Sequence, residues 1–394
     1  MTDVAVVGFA QSPCQRHGET TTSGVEMLVP IFHEVLESTG LVKADIGFWC
    51  SGSSDYLAGR AFSFVQAVDA IGAFPPVMES HVEMDGAWAL YEAWVKILTG
   101  EADVALAYGF GKSSAGELRR VLALQLDPYL LAPLWPDSVS IAALQARVGI
   151  EAGLWTEKDM AQVAARSRAA ARANPAAQLS GDVRAEDLLE APYVADPLRA
   201  HDCAPVGDGA AVVILASSAR ARDLVARPAW ITGFEHRIDS APLGARDLTT
   251  APSAATAGRA AGAGRAEVAE LHAPFTHQEI LLRTALGLGD GVRVNPSGGA
   301  LAGNPMFAAG LARIGMAARE IFAGRAHRAL GHATSGPALQ QNLVCMMEAR
   351  AGGGPASRRR RRAERRIRRP RRRCGVPAAR TRLPKPAKRP RGRP

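Results

Sequence analysis

Hydrophobic residues recur at helical spacing in two segments of fifteen residues, and each segment begins and ends with glycine. The first runs from Gly86 to Gly100 and the second from Gly310 to Gly324. Apolar residues three and four positions apart predict an amphipathic helix, and a closing glycine suits the left-handed backbone position that ends many helices. A short apolar run follows each segment and predicts a strand. The pattern therefore predicts two copies of one helix–strand unit.

The two units stand 224 residues apart, and another pair of segments keeps almost the same separation. The opening strand, Val4-Ala-Val-Val-Gly-Phe9, recurs as Trp230-Ile-Thr-Gly-Phe234 at a shift of 225. Two different elements rarely keep one shift by chance, so the sequence predicts an internal duplication. The alternative is that unrelated strand–helix–strand units simply look alike.

Strands and helices alternate in both halves, which predicts an α/β fold with a sheet between layers of helices. We assign residues 1–225 to the first half and residues 226–349 to the second. An inserted region at about 112–190 contains an Ala/Arg-rich amphipathic helix around residues 158–172, and we expect it to cover one face. Residues 350–394 form a basic tail.

The formal net charge of +9 comes from this tail. Residues 351–394 hold 19 Lys and Arg against one acid, Glu364, which leaves 28 basic and 37 acidic residues in 1–350. The tail has no apolar periodicity, so we expect it to be disordered. It could bind nucleic acid by neutralising phosphates. No aromatic residue is present to stack on bases, so we favour a solvated tail without a nucleic-acid partner.

Composition and segment patterns argue for a protein of the cytoplasm. The nineteen-residue uncharged stretch from Val294 to Ala312 contains two asparagines, two prolines and four glycines, which predicts a loop and not a membrane span. The N-terminal Met1-Thr-Asp-Val has no basic region before its apolar run, which argues against a signal peptide. Five cysteines without Cys-x-x-Cys spacing predict reduced thiols.

Two motifs carry a resemblance to a known family. The runs Val206-Gly-Asp-Gly-Ala-Ala-Val-Val-Ile-Leu and Asn295-Pro-Ser-Gly-Gly-Ala-Leu-Ala-Gly-Asn-Pro, with the duplicated halves, resemble thiolases, in particular the sterol carrier protein x type often called lipid-transfer proteins. The resemblance covers roughly residues 1–349. It implies a thiolase fold, which is a layered αβαβα sandwich of two duplicated halves. It also implies a homodimer that takes a coenzyme A thioester as substrate, with no permanently bound cofactor and no metal.

The segment Glu270-Leu-His272-Ala-Pro-Phe275 resembles the family's Glu-Val-His-Asp-x-Phe segment. The resemblance implies that His272 helps to hold a water or polar group against the thioester oxygen, where negative charge develops. The alternative is a structural histidine in a loop. His277 has no counterpart in the family, and we expect it to be structural.

The family continues with Gly-His-Pro after an Asn-Pro-x-Gly-Gly loop, and this chain has Gly303-Asn304-Pro305 instead. Asparagine can donate a hydrogen bond to an oxyanion but cannot act as a base near neutral pH, so the group that activates a thiol is absent. We expect Gly298, Gly299 and Gly303 to let the backbone approach the thioester closely.

The family's nucleophilic cysteine begins the pattern Cys-Ala-x-Gly-Ser-x-Ala-Leu. Alignment of its glycine with Gly86 puts Glu83 at the position of the cysteine, with Asp85 after it and His81 just before it. A helix N-terminus stabilises a carboxylate as it does a thiolate. Two interpretations remain open: the acids cap the helix, which is worth about 0.3–1 kcal/mol, or one of them is a general base.

The last family element is a loop after the final repeat strand, where Cys-x-Gly or His-Asn-x-Gly supplies an acid or base. This chain has Gly331-His332-Ala-Thr-Ser-Gly336, so His332 is the counterpart, although Ala333 stands where asparagine would. His332 is therefore a further candidate for the acid or base.

Without a thiolate no acyl-cysteine can form, but an enolate-stabilising site with a base suffices for retro-aldol cleavage. Some thiolase-like relatives without the cysteine are aldolases of steroid side chains. The resemblance thus implies carbon–carbon cleavage with Glu83, Asp85 or His332 as base and with His272 and Asn304 on the oxygen. The alternative is a non-catalytic subunit that binds acyl-CoA or lipid. Aldolase relatives work with a small OB-fold, zinc-ribbon protein, so such a partner is expected.

Overall fold

The structure is a computed structural model, and it describes residues 3–18, 22–58 and 62–350. The strands are β1 (Val4–Gln11), β2 (Phe48–Gly52), β3 (Glu79–Val82), β4 (Val104–Lys112), β5 (Tyr193–Ala195), β6 (Leu198–Arg199), β7 (Val206–Ser217), β8 (Ala229–Ile238), β9 (Val268–Glu270), β10 (Arg293–Val294), β11 (Asn304–Pro305), β12 (Arg328–Ser335) and β13 (Gln341–Ala349). The helices are α1 (Gly24–Thr39), α2 (Asp55–Ala58), α3 (Ser63–Ile71), α4 (Gly86–Leu98), α5 (Leu118–Leu124), α6 (Ser138–Glu151), α7 (Glu157–Ala171), α8 (Ala185–Leu189), α9 (Ser218–Leu224), α10 (Pro252–Ala261), α11 (Thr276–Ala285), α12 (Gly299–Ala302) and α13 (Ala309–Phe322).

The main sheet has two halves with the same strand order. Its full order is β10-β9-β12-β13-β8-β1-β7-β4-β2-β3. From the central β1–β8 pair outward, one side runs β1-β7-β4-β2-β3 and the other runs β8-β13-β12-β9-β10. The directions agree as well: the two inner pairs on each side are antiparallel and the two outer pairs are parallel. The predicted duplication is therefore confirmed.

The two predicted helices of the duplicated unit are α4 and α13. Both are followed by a glycine in the left-handed region, Gly100 at φ 79° and Gly324 at φ 72°. Each helix then leads into a strand, β4 in the first half and β12 in the second. These ends were predictable because helical periodicity and glycine termination are local signals.

Buried side chains divide the molecule into five layers. Helices α4 and α13 pack against each other in the centre. On β4, Ala105 and Ala107 face these central helices, whereas Leu106 and Tyr108 face the outer layer with α1 and α3. On β13, Cys345 likewise faces the centre, and its neighbours face α10 and α11. The αβαβα sandwich is confirmed, and alanines on the inner face let the central helices approach the sheet.

The insertion between the sheet strands contributes α5 to α8. Helix α7 matches the predicted amphipathic helix and packs against α11 and α12. The predicted boundary between residues 225 and 226 falls between α9 and β8. Residues 351–394 of the basic tail lie outside the described residues, and so does the segment that we predict to be disordered.

Several features concern the whole described part of the chain. Its four cysteines, Cys14, Cys50, Cys203 and Cys345, are free thiols. None of the described helices is long and apolar enough to cross a membrane. In the described ranges, no group of three or more His, Cys, Asp or Glu side chains is arranged to hold a metal ion.

Candidate functional site

Asp85 lies where the N-termini of the two central helices meet. Its carboxylate accepts hydrogen bonds from the backbone N–H of Ala87 at the start of α4 and from those of Gly310 and Leu311 at the start of α13, all at 2.9 Å. The residue is only 5% exposed. Burial raises the pKa of Asp85, and the three backbone donors and Arg313 oppose that shift. One carboxylate therefore caps both helices.

Glu83 lies outside the helix that the alignment assigned to it. Helix α4 begins three residues later, and Asp85 is its cap. The Oε1 atom of Glu83 accepts from the backbone N–H of Asp55 at 3.1 Å, and its Oε2 lies 3.3 Å from Nε2 of His81. The side chain is 55% exposed. The expectation that the helix N-terminus holds Glu83 is thus corrected, and Glu83 is the more accessible carboxylate of the two.

His81 connects Glu83 to a buried hydroxyl that the sequence did not indicate. The Nδ1 atom of His81 lies 2.9 Å from Oγ of Ser51 at the end of β2. The imidazole stacks on Phe64 with the ring centroids 5.0 Å apart. The Ser51 hydroxyl also lies 3.4 Å from Glu79 Oε1. These contacts fix His81 and so orient the carboxylate of Glu83.

His272 and Asn304 are brought together as the resemblance implied. The Nε2 atom of His272 lies 3.0 Å from Oδ1 of Asn304, and the backbone N–H of Thr334 approaches Nδ1 at 3.4 Å. A backbone N–H can only donate, so Nδ1 accepts and the imidazole proton is on Nε2. Burial lowers the pKa of His272 to about 4, although the bond to Asn304 acts in the opposite direction. His272 is therefore a neutral donor to Asn304 at neutral pH.

This pairing determines which atom of Asn304 can still donate. Its Oδ1 is occupied by His272, and among the described residues its Nδ2 has no acceptor. The backbone of Asn304 and Pro305 forms β11, which pairs with β7 at Val206 and Gly207. The glycine-rich run at the start of β7 therefore holds Asn304 in place and leaves its amide N–H groups free.

The three candidate glycines pack closely against the protein itself. A Cβ atom on Gly298 would lie 2.7 Å from Cβ of Ala171 in α7. A Cβ on Gly299 would lie 2.7 Å from the side-chain amide of Asn295, and one on Gly303 would lie 3.2 Å from Cβ of Cys14. Packing alone accounts for Gly298 and Gly299, while a role toward the thioester stays a prediction.

His332 is completely buried in a polar cluster. Its Nε2 lies 3.0 Å from Oδ1 of Asn342, whose Nδ2 donates to Ser253 Oγ and to the carbonyl of Leu339. The carbonyl bond fixes the orientation of the amide, so His332 carries its proton on Nε2. Among the described residues, its Nδ1 atom has no hydrogen-bond partner. Burial lowers the pKa of His332 to about 3. The imidazole of His272, when it is protonated, lowers the pKa of His332 further.

Solved structures share this arrangement of layers. The Ltp2-ChsH2(DUF35) aldolase superposes with a TM-score of 0.73 at 20% sequence identity, over 89% of this chain and 98% of that chain. Human mitochondrial 3-ketoacyl-CoA thiolase superposes with a TM-score of 0.72 at 16% identity, over 89% and 99% of the two chains. The chain has the thiolase fold.

Sequence relatives agree with the thiolase fold. The chain is 27% identical over 347 residues to an acetyl-CoA acetyltransferase of Methanothermobacter thermautotrophicus. The aligned region covers 79% of this chain and 89% of the relative. It is 33% identical over 150 residues to the 17-hydroxy-3-oxo-4-pregnene-20-carboxyl-CoA lyase of Mycobacterium tuberculosis, over 35% and 39% of the two chains. No protein-family model matches. The predicted resemblance is confirmed at the level of a thiolase-like protein.

Within this thiolase fold, a crevice beside Asn304 contains a cysteine that the sequence did not indicate. Cys14, Gly303, Pro305 and Arg313 are among its lining residues. Burial raises the pKa of the Cys14 thiol to about 12, against a weaker opposing effect of the Asn304 backbone N–H. Cys14 is therefore a protonated thiol at neutral pH and a poor nucleophile. No motif surrounds it, so only the fold could reveal its position.

Proposed function

We propose that this thiolase-like protein is an enzyme of lipid or sterol side-chain metabolism, of the sterol carrier protein x type. It cleaves a carbon–carbon bond of an acyl-CoA thioester by a retro-aldol reaction without a cysteine nucleophile. The observation that carries the proposal is the bond between His272 and Asn304, which leaves Nδ2 of Asn304 as a fixed donor for a thioester oxygen. Coenzyme A enters as part of the substrate, with no permanently bound cofactor.

The oxygen site follows from the chemistry of this pair. As the thioester becomes an enolate, negative charge develops on its oxygen, and a donor already aimed at that position stabilises the transition state. Asn304 provides such a donor, since its carbonyl side is held by His272 and its backbone by β7. In this proposal His272 positions Asn304 and does not itself contact the oxygen.

The start of α4 supports a reaction without a covalent acyl-enzyme. Glu83 and Asp85 stand in the segment where the family carries its cysteine, and the nearby Cys14 is protonated. A protonated, buried thiol cannot attack a thioester at a useful rate. An enolate route needs only a base and an oxyanion donor, and both kinds of group are present.

Glu83 is the base that the contacts favour. The carboxylate of Asp85 is engaged by three backbone N–H groups, and His332 is fully buried with a pKa of about 3. Glu83 is half-exposed and oriented by His81. It takes the proton of a β-hydroxyl group, the Cα–Cβ bond breaks, and its electron pair forms the enolate. The ketone or aldehyde leaves, and the protonated Glu83 returns the proton to Cα.

The relatives support this class of reaction and suggest the assembly. One is named as an acyl-CoA lyase, and one structural neighbour is an aldolase complex of Ltp2 with ChsH2(DUF35). We therefore propose a small OB-fold, zinc-ribbon protein as partner. A homodimer and a location in the cytoplasm stay predictions from the resemblance and the composition.

The test is incubation of the full chain with a β-hydroxyacyl-CoA, with and without the partner. We expect release of a ketone or aldehyde that is lost in Glu83→Gln and in Asn304→Ala. Glu37→Gln is the matched control, because Glu37 is an exposed carboxylate on α1. An acyl adduct on any cysteine, or thiolysis of a 3-ketoacyl-CoA, would contradict the proposal.

A second candidate is a non-catalytic subunit that binds acyl-CoA or lipid. The observation in its favour is that the carboxylate of Asp85 serves as a helix cap and that His332 is locked in a buried cluster. If the parent and all variants are equally inactive while thioesters still bind, this second function stands.

A further inference from the structure

Arg313 is a buried cation near the N-terminus of α13. It is 3% exposed, and its Nη1 donates to Ser297 Oγ over 2.8 Å and lies 3.3 Å from Glu270 Oε2. Its Nε atom is buried and has no acceptor among the described residues. Desolvation of a buried ion pair is costly, and two well-packed apolar residues in place of such a pair are often as stable or more stable. The presence of a charge therefore requires a reason other than packing.

The partners of Arg313 are bonded to each other as well. The Oε1 atom of Glu270 accepts from the backbone N–H of Ser297 at 2.9 Å, and Oε2 accepts from its hydroxyl at 2.7 Å. Glu270 ends β9 two residues before His272, and Ser297 lies in the loop that leads to Asn304. The cluster thus joins the two segments that carry the candidate oxygen site.

We propose that Arg313 is a positioning residue for the His272–Asn304 pair. Its contacts with Glu270 and Ser297 hold the end of β9 and the 295–305 loop at a fixed separation. That separation keeps Nε2 of His272 on Oδ1 of Asn304. The proposal deepens the proposed function and rests on it for the role of the pair in catalysis, but the positioning itself can be measured without substrate.

The electrostatic reach of Arg313 supports its place at this site. Its charge lowers the pKa values of His272, Asp85 and Cys14, although burial is the largest influence on each. These three groups come from different segments of the chain, and each lies within the electrostatic range of the guanidinium. Arg313 also lines the crevice beside Asn304.

The first test observes the pair directly by NMR of the full chain with ¹⁵N-labelled histidine. The Nε2–H signal of His272, assigned by its loss in His272→Gln, reports the bond to Asn304. We expect this signal to be lost in Arg313→Met and restored in Arg313→Lys, which can still bond to Glu270. In Glu270→Gln we expect partial loss, because the amide keeps one acceptor for Ser297.

The second test is a double-mutant cycle on the proposed reaction. We expect Arg313→Met to lower kcat about 100-fold, as a small misplacement of a catalytic group can do, with KM unchanged. Arg313→Met added to Asn304→Ala should cause no further loss, since both act through one group. If the chain has no lyase activity but the NMR result holds, the positioning stands and the proposed function fails.

The matched control is Arg293→Met. Arg293 forms an ion pair with Glu320 on the same helix α13, but near its other end. Should Arg313→Met fail to fold, Arg313→Met combined with Glu270→Leu removes both charges and tests the same signal. An unchanged His272 signal in folded Arg313→Met, or the same loss in Arg293→Met, would overturn the proposal.

Discussion

Asp85 accepts a hydrogen bond at 2.9 Å from the backbone N–H of Gly310, a residue 225 positions later in the chain. In the duplication, Gly310 is the counterpart of Gly86, which follows Asp85 directly. A Cβ atom on Gly310 would lie 2.7 Å from Asp85 Oδ1 and 2.5 Å from Cβ of Ala333. The contact therefore requires glycine at this position.

The second copy lacks a capping side chain of its own. Ala309 is the counterpart of Asp85, and Ala308, which precedes α13, makes no side-chain cap. Four N–H groups at the start of a helix need acceptors, and a buried helix start cannot take them from water. Asp85 supplies acceptors for both copies, which explains an acidic residue at this buried position without any catalytic role.

We expect Asp85→Ala to lower the free energy of unfolding by more than a substitution that removes the cap of a single helix. A capping side chain contributes about 0.5–2 kcal/mol to one helix, so a cap shared by two helices should contribute about 1–4 kcal/mol. Urea unfolding followed by circular dichroism measures this. Asp137→Ala is the control, because Asp137 caps only α6 through the N–H groups of Val139 and Ser140. Equal losses in both variants would contradict a shared cap.

Asp85→Asn separates the cap from a base. The N–H groups of Ala87 and Leu311 both reach Oδ1, so an amide oxygen there keeps two of the three bonds. We expect an intermediate loss of stability and retention of most lyase activity. A complete loss of activity in a stably folded Asp85→Asn would make Asp85 the base in place of Glu83.

The contrast between local and distant contacts explains what the sequence could predict. Helix α4, its terminal Gly100 and the following strand are encoded by neighbouring residues, and all were predicted. The resemblance to the family motifs predicted that His272 and Asn304 belong to one site. The contact between Asp85 and Gly310 has no local signal, because it depends on how the two halves pack.

At the candidate site, the environments of two further side chains could not be predicted from neighbouring residues. Arg313 resembles any arginine on an amphipathic helix, and only packing shows that it is buried on Glu270. Glu83 was assigned to a helix N-terminus by alignment, but Asp85 is a strong cap next to Gly86 and starts the helix later. When two nearby residues could each cap a helix, the hydrogen-bond partners that each finds in the folded protein decide which one does. A single sequence does not show these partners.

Stability should fall in the acid range because His277 stays neutral when folded. Burial lowers the pKa of His277 to about 3, whereas an unfolded histidine has a pKa of about 6.5. Between these values the unfolded chain binds a proton that the folded chain does not. The contribution of His277 is therefore complete above about pH 6.5 and is lost as the pH falls toward about 3.

The contribution of His277 can be measured from the slope of the free energy of unfolding against pH. One such group changes the free energy of unfolding by about 1.4 kcal/mol per pH unit. We expect the slope to decrease by that amount in His277→Gln, whose amide can still bond to Gln145. His33→Gln, at an exposed position on α1, is the control. If parent and His277→Gln have the same slope, His277 is not held neutral.

The thiol of Cys14 should be inert in the folded protein. With its pKa raised to about 12 by burial, its thiolate fraction at pH 8 is at least about 100-fold below that of an ordinary cysteine. We expect iodoacetamide to label Cys14 correspondingly slowly, as measured by peptide mass spectrometry. Labelling in urea is the control, because unfolding exposes the thiol. Rapid labelling of Cys14 in the native chain would show that it is an accessible nucleophile.

Asn304→Asp tests the oxygen site, because it replaces only the Nδ2 atom of the side chain by an oxygen. A carboxylate can still accept the hydrogen bond from Nε2 of His272, so the pairing and the fold should be retained. The free Nδ2 donor is replaced by a negatively charged oxygen, which repels an enolate. Because loss of one oxyanion donor costs about 100- to 1000-fold in kcat, we expect at least that decrease in lyase turnover. Thioester binding, measured by calorimetry, should change far less. If Asn304→Asp keeps its turnover, the donor that stabilises the enolate is another group, and His272 becomes the next residue to test.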